Sequence, residues 1–312
     1  MIRMSVKQGY VYEAVGLRIW SNVPLTPLVT IDDSREPDVR VQIVQRHSLD
    51  IARTPSCEKG VWFQFKGECR IAVTDSSHIF AEYDPEEVEF RTFLGFLYGP
   101  GFAIMLAQRG LFPLHLSAVA FGGSALAFFG PSGAGKSTTA ANLVFNAGGK
   151  LIADDLGLIR FSNGTPLIWG IAERGLKLFS GSVQALALEQ TIVGIECDEK
   201  RKSIIGLSTD NSVASAMLKG MVLLEVSDLA EDVTITRMSL PEALIESRKL
   251  LFIPQIGVKM WEFEDALAFL ASVVSSVPFF RVVRPRRSDG DLVDVLACIR
   301  ELGLIPLRPD HV

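Results

Sequence analysis

The chain has 312 residues, almost half of them hydrophobic, enough for one large or two modest domains with a sizeable core. Lys plus Arg number 31 against 36 for Asp plus Glu, and the net charge of −5 argues against a general nucleic-acid-binding surface. Cys57, Cys69, Cys197 and Cys298 form no C-x-x-C pair and residues 1–9 lack the apolar core of a signal peptide, so a reduced, cytoplasmic chain is expected.

Residues 1–88 read as a β-rich N-terminal module. Residues 10–14, 17–20 and 39–44 are rich in β-branched and aromatic side chains with partial alternation. Residues 62–65 and 69–73 flank Lys66-Gly67-Glu68, a hairpin signal. Pro24, Pro27 and Pro37 punctuate the loops. His47 and His78 stand alone and read as surface histidines, and the module holds no catalytic set. Residues 86–109 turn helical in pattern. The apolar run 93–114 raises a membrane span, but Gly99-Pro100-Gly101, Gln108 and Arg109 interrupt it before about 20 apolar residues accumulate. A buried helix or helix pair ending at Arg109-Gly110, and no membrane partner, is the expectation.

Residues 89–312 carry the chemistry. Residues 114–121 read as a strand with Gly122-Gly123 as its turn, and a hairpin to residues 125–129 would bring His115 near the loop over residues 130–137. That loop, Gly130-Pro131-Ser132-Gly133-Ala134-Gly135-Lys136-Ser137, fits the phosphate-binding template G-x-x-x-x-G-K-[ST] at every fixed position. A buried strand runs into it, and residues 138–146 leave it as a helix stopped by Gly148-Gly149. The glycines let successive amides of Gly130, Ser132, Gly133, Ala134, Gly135, Lys136, Ser137 and Thr138 curl toward phosphate oxygens. The helix N-terminus adds its positive end at the same place. Lys136 can reach the β- and γ-phosphates of ATP, and Ser137 can take a place on Mg²⁺.

A strand over residues 150–153 then ends in Asp154-Asp155. One carboxylate can hold the metal and the other can take a proton from an attacking hydroxyl. Adjacent carboxylates resist ionising together, which raises one pKa toward a base's working range. In the run 170–179, Glu173 is a candidate metal ligand, and Arg174 or Lys177 can balance charge on a transferring phosphoryl group. Lys200-Arg201-Lys202 and Arg284, Arg286 and Arg287 can meet anions, although exposed loops commonly carry such runs. A core strand at 221–226, helices from Pro241 and at 264–274, a strand at 278–283 and a helix at 291–301 complete the expected α/β order.

The set His115-x-Ser117, the phosphate loop, and Ala153-Asp154-Asp155 resembles the catalytic domain of HPr kinase/phosphorylase, over roughly residues 111–300. It is similar, more distantly, to ATP-dependent phosphoenolpyruvate carboxykinase. The resemblance implies a P-loop kinase domain of that type, preceded by the β-rich module. It also implies a supporting role for His115 and an aspartate pair that supplies the base and a magnesium contact. The family's Glu-x-Arg-Gly-Leu-Gly run is matched only by Glu173-Arg174-Gly175-Leu176-Lys177, with the acid one place off and Lys replacing Gly. The stretches around Tyr12 to Ile19, Gln108 to His115 and Leu176 to Phe179 look like an HPr-kinase-like branch found in lasso-peptide clusters. That branch phosphorylates a serine at the C-terminal end of the precursor.

Together these readings predict an ATP- and Mg²⁺-dependent kinase acting on a serine hydroxyl of a peptide or small protein. The reading leans to Asp154 as base and Asp155 toward metal and His115, an order the sequence leaves open. Lys136 and Arg174 serve transition-state charge; Ser137, Asp155 and Glu173 are the metal candidates. The alternatives are a free-serine kinase, a reversible HPr-type kinase/phosphorylase, and a nucleotide-binding regulator that transfers nothing. HPr enzymes are hexamers, so a homo-oligomer is an option carried by the resemblance alone. Peptide recognition is the role to test for residues 1–88.

Overall fold

The computed structural model describes residues 9–26, 28–46, 60–65, 69–171, 175–195, 201–252 and 261–286, with 295, 297, 299, 300 and 303. It is a mixed α/β protein that divides into two compact units. One comprises Met1–Pro113 with Ile253–Glu262; the other comprises Leu114–Phe252 with Phe263–Val312.

The first unit is built on a six-stranded sheet, counted among the described residues. Its strands are β1 (Tyr10–Ala14), β2 (Leu17–Ser21), β3 (Val39–Gln45), β4 (Val61–Phe65), β5 (Cys69–Asp75) and β6 (His78–Tyr83), in the order β1-β2-β3-β6-β5-β4. The expected antiparallel pairing of residues 62–65 with 69–73 is present. Its turn, Lys66-Gly67-Glu68, lies outside the described residues, as do Pro27, His47 and Cys57. His78 opens β6 and hydrogen-bonds Asp75 at the turn before it.

Helices α1 (Phe90–Phe96) and α2 (Phe102–Gln108) are joined by a widened turn over Leu97–Gly101, where Pro100 lacks the N–H that a regular α-helix needs. Phe90–Gln108 is long and apolar enough to cross a membrane, but 67% of that stretch is buried inside the protein. This helical segment groups with the first unit, so the division falls at Pro113/Leu114 where the sequence suggested 88/89. The reason is aromatic packing: Phe96 stacks on Phe65 of β4 at 3.9 Å, and Phe93 on Tyr83 of β6 at 4.8 Å.

In the second unit β7 (Pro113–Leu114), β8 (Ser117–Phe121) and β9 (Ser124–Phe129) precede α3 (Lys136–Ala147). Next come β10 (Lys150–Ala153), β11 (Gly157–Ser162), β12 (Thr165–Gly170), β13 (Leu176–Leu178), α4 (Ser180–Ala185), β14 (Ile192–Ile195) and β15 (Ser203–Ile205). β16 (Ser215–Ser227), β17 (Thr234–Arg237), α5 (Leu240–Ser247), α6 (Phe263–Ser276) and β18 (Phe279–Pro285) complete the order. The helix expected at 291–301 lies mostly outside the described residues.

The main sheet runs β10-β8-β9-β16, with β18 and β12 also pairing along β16. β9 alternates its buried side chains between two layers. Leu126 and Phe128 pack with Ala140, Leu143 and Val144 of α3. Ala125, Ala127 and Phe129 pack with Val273 and Val274 of α6. A strand apolar on both faces and covered by helices on both is what a central strand of a three-layer α/β unit requires. β8 is antiparallel to both β9 and β10, so β9 and β10 point the same way. The C-terminal ends of β9 and β10 and the N-terminal end of β8 therefore share one edge of the sheet. Ligands of open α/β sheets bind at such an edge.

Candidate active site

The phosphate loop leaves β9 at that edge. Gly130 has φ +136°, and a Cβ there would lie 2.3 Å from the Leu224 carbonyl oxygen of β16, so no side chain fits. Gly135, with φ +100°, is the residue before the first turn of α3. The buried Lys136 folds back over the loop, its Nζ donating to the Gly130 carbonyl at 2.9 Å and to that of Pro131 at 3.2 Å. Thr138 Oγ1 meets Ser182 Oγ of α4 at 3.0 Å, which fixes a second wall beside the first turn of α3.

The two aspartates, adjacent in sequence, occupy different environments. Asp154 is 4% exposed. Ser117 Oγ donates to its Oδ1 at 2.6 Å, and the Lys177 backbone N–H donates to its Oδ2 at 3.1 Å. Burial, followed by the neighbouring Asp155 charge, raises its pKa to about 6. Hydrogen bonds from Ser117, from the Lys177 amide and from Ser137 oppose that rise. Asp154 thus ties β8, β13 and the phosphate helix together below the cleft.

Asp155 takes φ +70°, a left-handed conformation that costs a non-glycine residue about 1–3 kcal/mol. It turns the carboxylate outward. Lys177 Nζ stands 3.1 Å from Asp155 Oδ2, and His115 Nε2 stands 3.8 Å from Asp155 Oδ1. The His115 amide donates to the Leu250 carbonyl at 2.6 Å, and its ring meets Phe252 edge-on at 6.0 Å, which together orient the imidazole. Burial by surrounding protein, then the Lys136 charge, lowers the His115 pKa; Asp155 opposes this, and Lys202 and Lys177 add to the lowering. The surroundings therefore favour the neutral imidazole.

His115, Asp155 and Lys177 share a cleft of about 220 Å³ with Ser132, Gly133, Gly135, Lys136, Ser137 and Thr138 of the phosphate loop and helix. Of the residues singled out in the sequence, the structure brings together the loop, His115, Asp155 and Lys177. Asp154 does not line the cleft. Glu173 and Arg174 lie outside the described residues. The cleft also takes in Lys202 and Arg284, from basic runs whose commoner reading was an exposed loop, Phe179 from the Leu176 to Phe179 stretch, and Ser182 and Ala185, which carried no motif. Lys177 and Phe179 do alternate along β13 into Phe179, a spacing that hints at one shared face. Lys202 Nζ lies 5.2 Å from the Phe179 ring centre.

Among the described residues, four cations and one carboxylate line the cleft in a protein whose net charge is −5, so positive potential is concentrated there. The glycine-cradled loop and the Lys136 charge fit a polyphosphate. No group of three or more His, Cys, Asp or Glu side chains gathers around a metal position among the described residues.

No family model matches this chain, and no curated protein matches it. A solved structure does. It is the Hpr(Ser) kinase/phosphatase from Coxiella burnetii, matched over 62% of this chain and 90% of that one, at 11% identity and a TM-score of 0.33. At that identity and score the match carries no assignment of activity, which rests on the site itself.

Proposed function

We propose that the protein is an ATP-dependent kinase that phosphorylates a hydroxyl, with a serine on a peptide or small protein as the acceptor to test first. The observation that carries this reading is the meeting of the phosphate loop with Asp155, His115 and Lys177 in one cleft. A protein that only bound nucleotide would need the loop and a metal carboxylate, but not a histidine and a lysine gathered around that carboxylate.

In this reading the amides of residues 132–137 and Lys136 hold the β- and γ-phosphates. The Ser137 hydroxyl and an aspartate would hold Mg²⁺, which would neutralise charge on the same oxygens. The acceptor oxygen attacks the γ-phosphorus, the bond from that phosphorus to the β,γ-bridging oxygen breaks, and ADP leaves. The hydroxyl proton passes to Asp155 rather than to Asp154, because Asp155 faces the cleft while Asp154 is buried and occupied by Ser117 and the Lys177 amide. Neutral His115 orients Asp155 or the acceptor. Lys177 balances charge on the phosphoryl group, the role that the sequence shared between it and Arg174.

Purified protein with Mg·ATP should be offered serine-ending lasso-type precursor peptides, an HPr carrier protein and free serine, with products followed by mass spectrometry. The kinase reading expects a mass gain of about 80 daltons, that of one phosphoryl group, on one of them and none with Asp155→Asn. Tight ATP binding with no transfer to any of the three would favour the non-transferring regulator.

A further inference from the structure

The strand register puts one more cation at the phosphate loop, from a part of the chain about 150 residues further on. β9, β16 and β18 run parallel, and Leu223 of β16 is level with both Phe129 of β9 and Arg281 of β18. Phe129 is the last residue before the loop. Arg284, three residues beyond Arg281 and still paired with Val226 of β16, therefore stands roughly 10 Å past the level at which β9 ends, at the height of the loop itself. The loop crosses toward it. Gly130 is pressed against the Leu224 carbonyl of β16, and the Cβ position of Gly135 lies 3.4 Å from Arg284 Nη2.

The arginines of this segment have different surroundings. Arg281 is bound by Glu225, Glu242 and Glu246. Arg286 pairs with Asp228 at the surface. Arg284 instead approaches the Ala134 carbonyl at 3.5 Å, long for a hydrogen bond, and lines the cleft. Its charge stands beside the N-terminus of α3 and beside Lys136, where the helix dipole and the lysine already make the potential positive. An anion bound in the cleft would therefore meet Arg284, Lys136 and the helix N-terminus together.

Sheet order says which part of the nucleotide it meets. Asp155 follows β10 at one end of the order β10-β8-β9-β16, and Arg284 lies one residue before the end of β18, beyond β16. The two strands stand on opposite sides of β9, whose end carries the phosphate loop, and both residues line the one cleft. The γ-phosphoryl group belongs at the Asp155 end, so the far end receives what is not transferred.

We propose that Arg284 is a nucleotide-binding residue outside the phosphate-binding motif, contacting the diphosphate that remains as ADP. This rests on the kinase reading above. Its planar fork suits two phosphate oxygens at once, which a lysine cannot match.

Binding of Mg·ADP, Mg·ATP and AMP to the full chain, measured by calorimetry, tests it. Arg284→Gln should weaken ADP and ATP by the same factor, roughly ten- to hundredfold, and AMP by less. Arg284→Lys should recover only part of the loss. Arg286→Gln is the control and should bind like the parent, and a melting curve for each variant separates lost binding from lost fold. Should Arg284→Gln fold poorly, Arg284→Met keeps the apolar stem and is read in its place. ADP binding unchanged in a folded Arg284 variant would overturn the proposal while leaving the kinase reading intact. A parent protein that binds neither ADP nor ATP would overturn both.

Discussion

The turn regions of the first unit and the cleft of the second both set aspartates beside cations, with opposite results. Asp33 in the first unit accepts from Arg35, whose side chain is 74% exposed, and those hydrogen bonds hold its carboxyl well below the usual range. Asp154 in the second unit also accepts several hydrogen bonds, yet burial and the neighbouring Asp155 push it up to about 6. The difference lies in which contribution is largest. For Asp33, 12% exposed beside a largely exposed arginine, the hydrogen bonds and charge of Arg35 outweigh desolvation, whereas for Asp154 burial and a second carboxylate outweigh the hydrogen bonds it accepts. The first unit therefore has a carboxylate kept charged by an arginine, and the second has a pair in which one carboxyl is held toward its neutral form.

The sharpest way to break this comparison is within the pair itself. Asp155→Asn should lower phosphotransfer by roughly 10²- to 10⁴-fold while ATP affinity changes little, read by steady-state kinetics and calorimetry together. If Asp154→Asn alone silenced transfer and Asp155→Asn did not, the roles would be the reverse of those proposed. Next in size is the loop's support. Gly130→Ala forces a methyl against the Leu224 carbonyl and should cost about 3 kcal/mol in urea unfolding, with loss of ATP binding. An unchanged unfolding midpoint would show that the loop relaxes away from β16.

A pH series sharpens the same contrast. Because the native pKa of Asp154 is raised from 3.8 to about 6, the folded state holds this proton more tightly than the unfolded chain does. Its contribution is then most favourable below about pH 4 and is lost as pH rises through 6, by up to about 3 kcal/mol. Asp154→Asn removes the titration, so its stability relative to the parent should improve from pH 4 to pH 7. A difference constant across that range would mean that the carboxyl is not proton-linked to folding. At the small end, Arg35→Ala should move the melting temperature by no more than measurement error, as exposed ion pairs do.

Much of the fold was legible in local pattern. Strands β1 to β5 of the first unit, the hairpin of β8 and β9, α3 with its Gly148 stop, the core of β16, and α5, α6 and β18 arise from periodicity and turn residues close in sequence. β6 went unread, since His78 at its start looked like a lone surface histidine. The domain boundary also escaped, because aromatic contacts such as Phe65 with Phe96 join residues that local pattern treats separately.

The site divides along the same line. A phosphate loop is contiguous, so eight consecutive residues determine its conformation: glycines for φ, a lysine, a serine, then a helix. Local pattern also places two carboxylates directly after the next parallel strand. Which of them is buried was decided by the left-handed turn at Asp155 and by Ser117 and the Lys177 amide closing over Asp154. Lys202 and Arg284 join the cleft only once the chain has folded. Burial and strand register depend on residues far apart in the chain, and no local spacing encodes them.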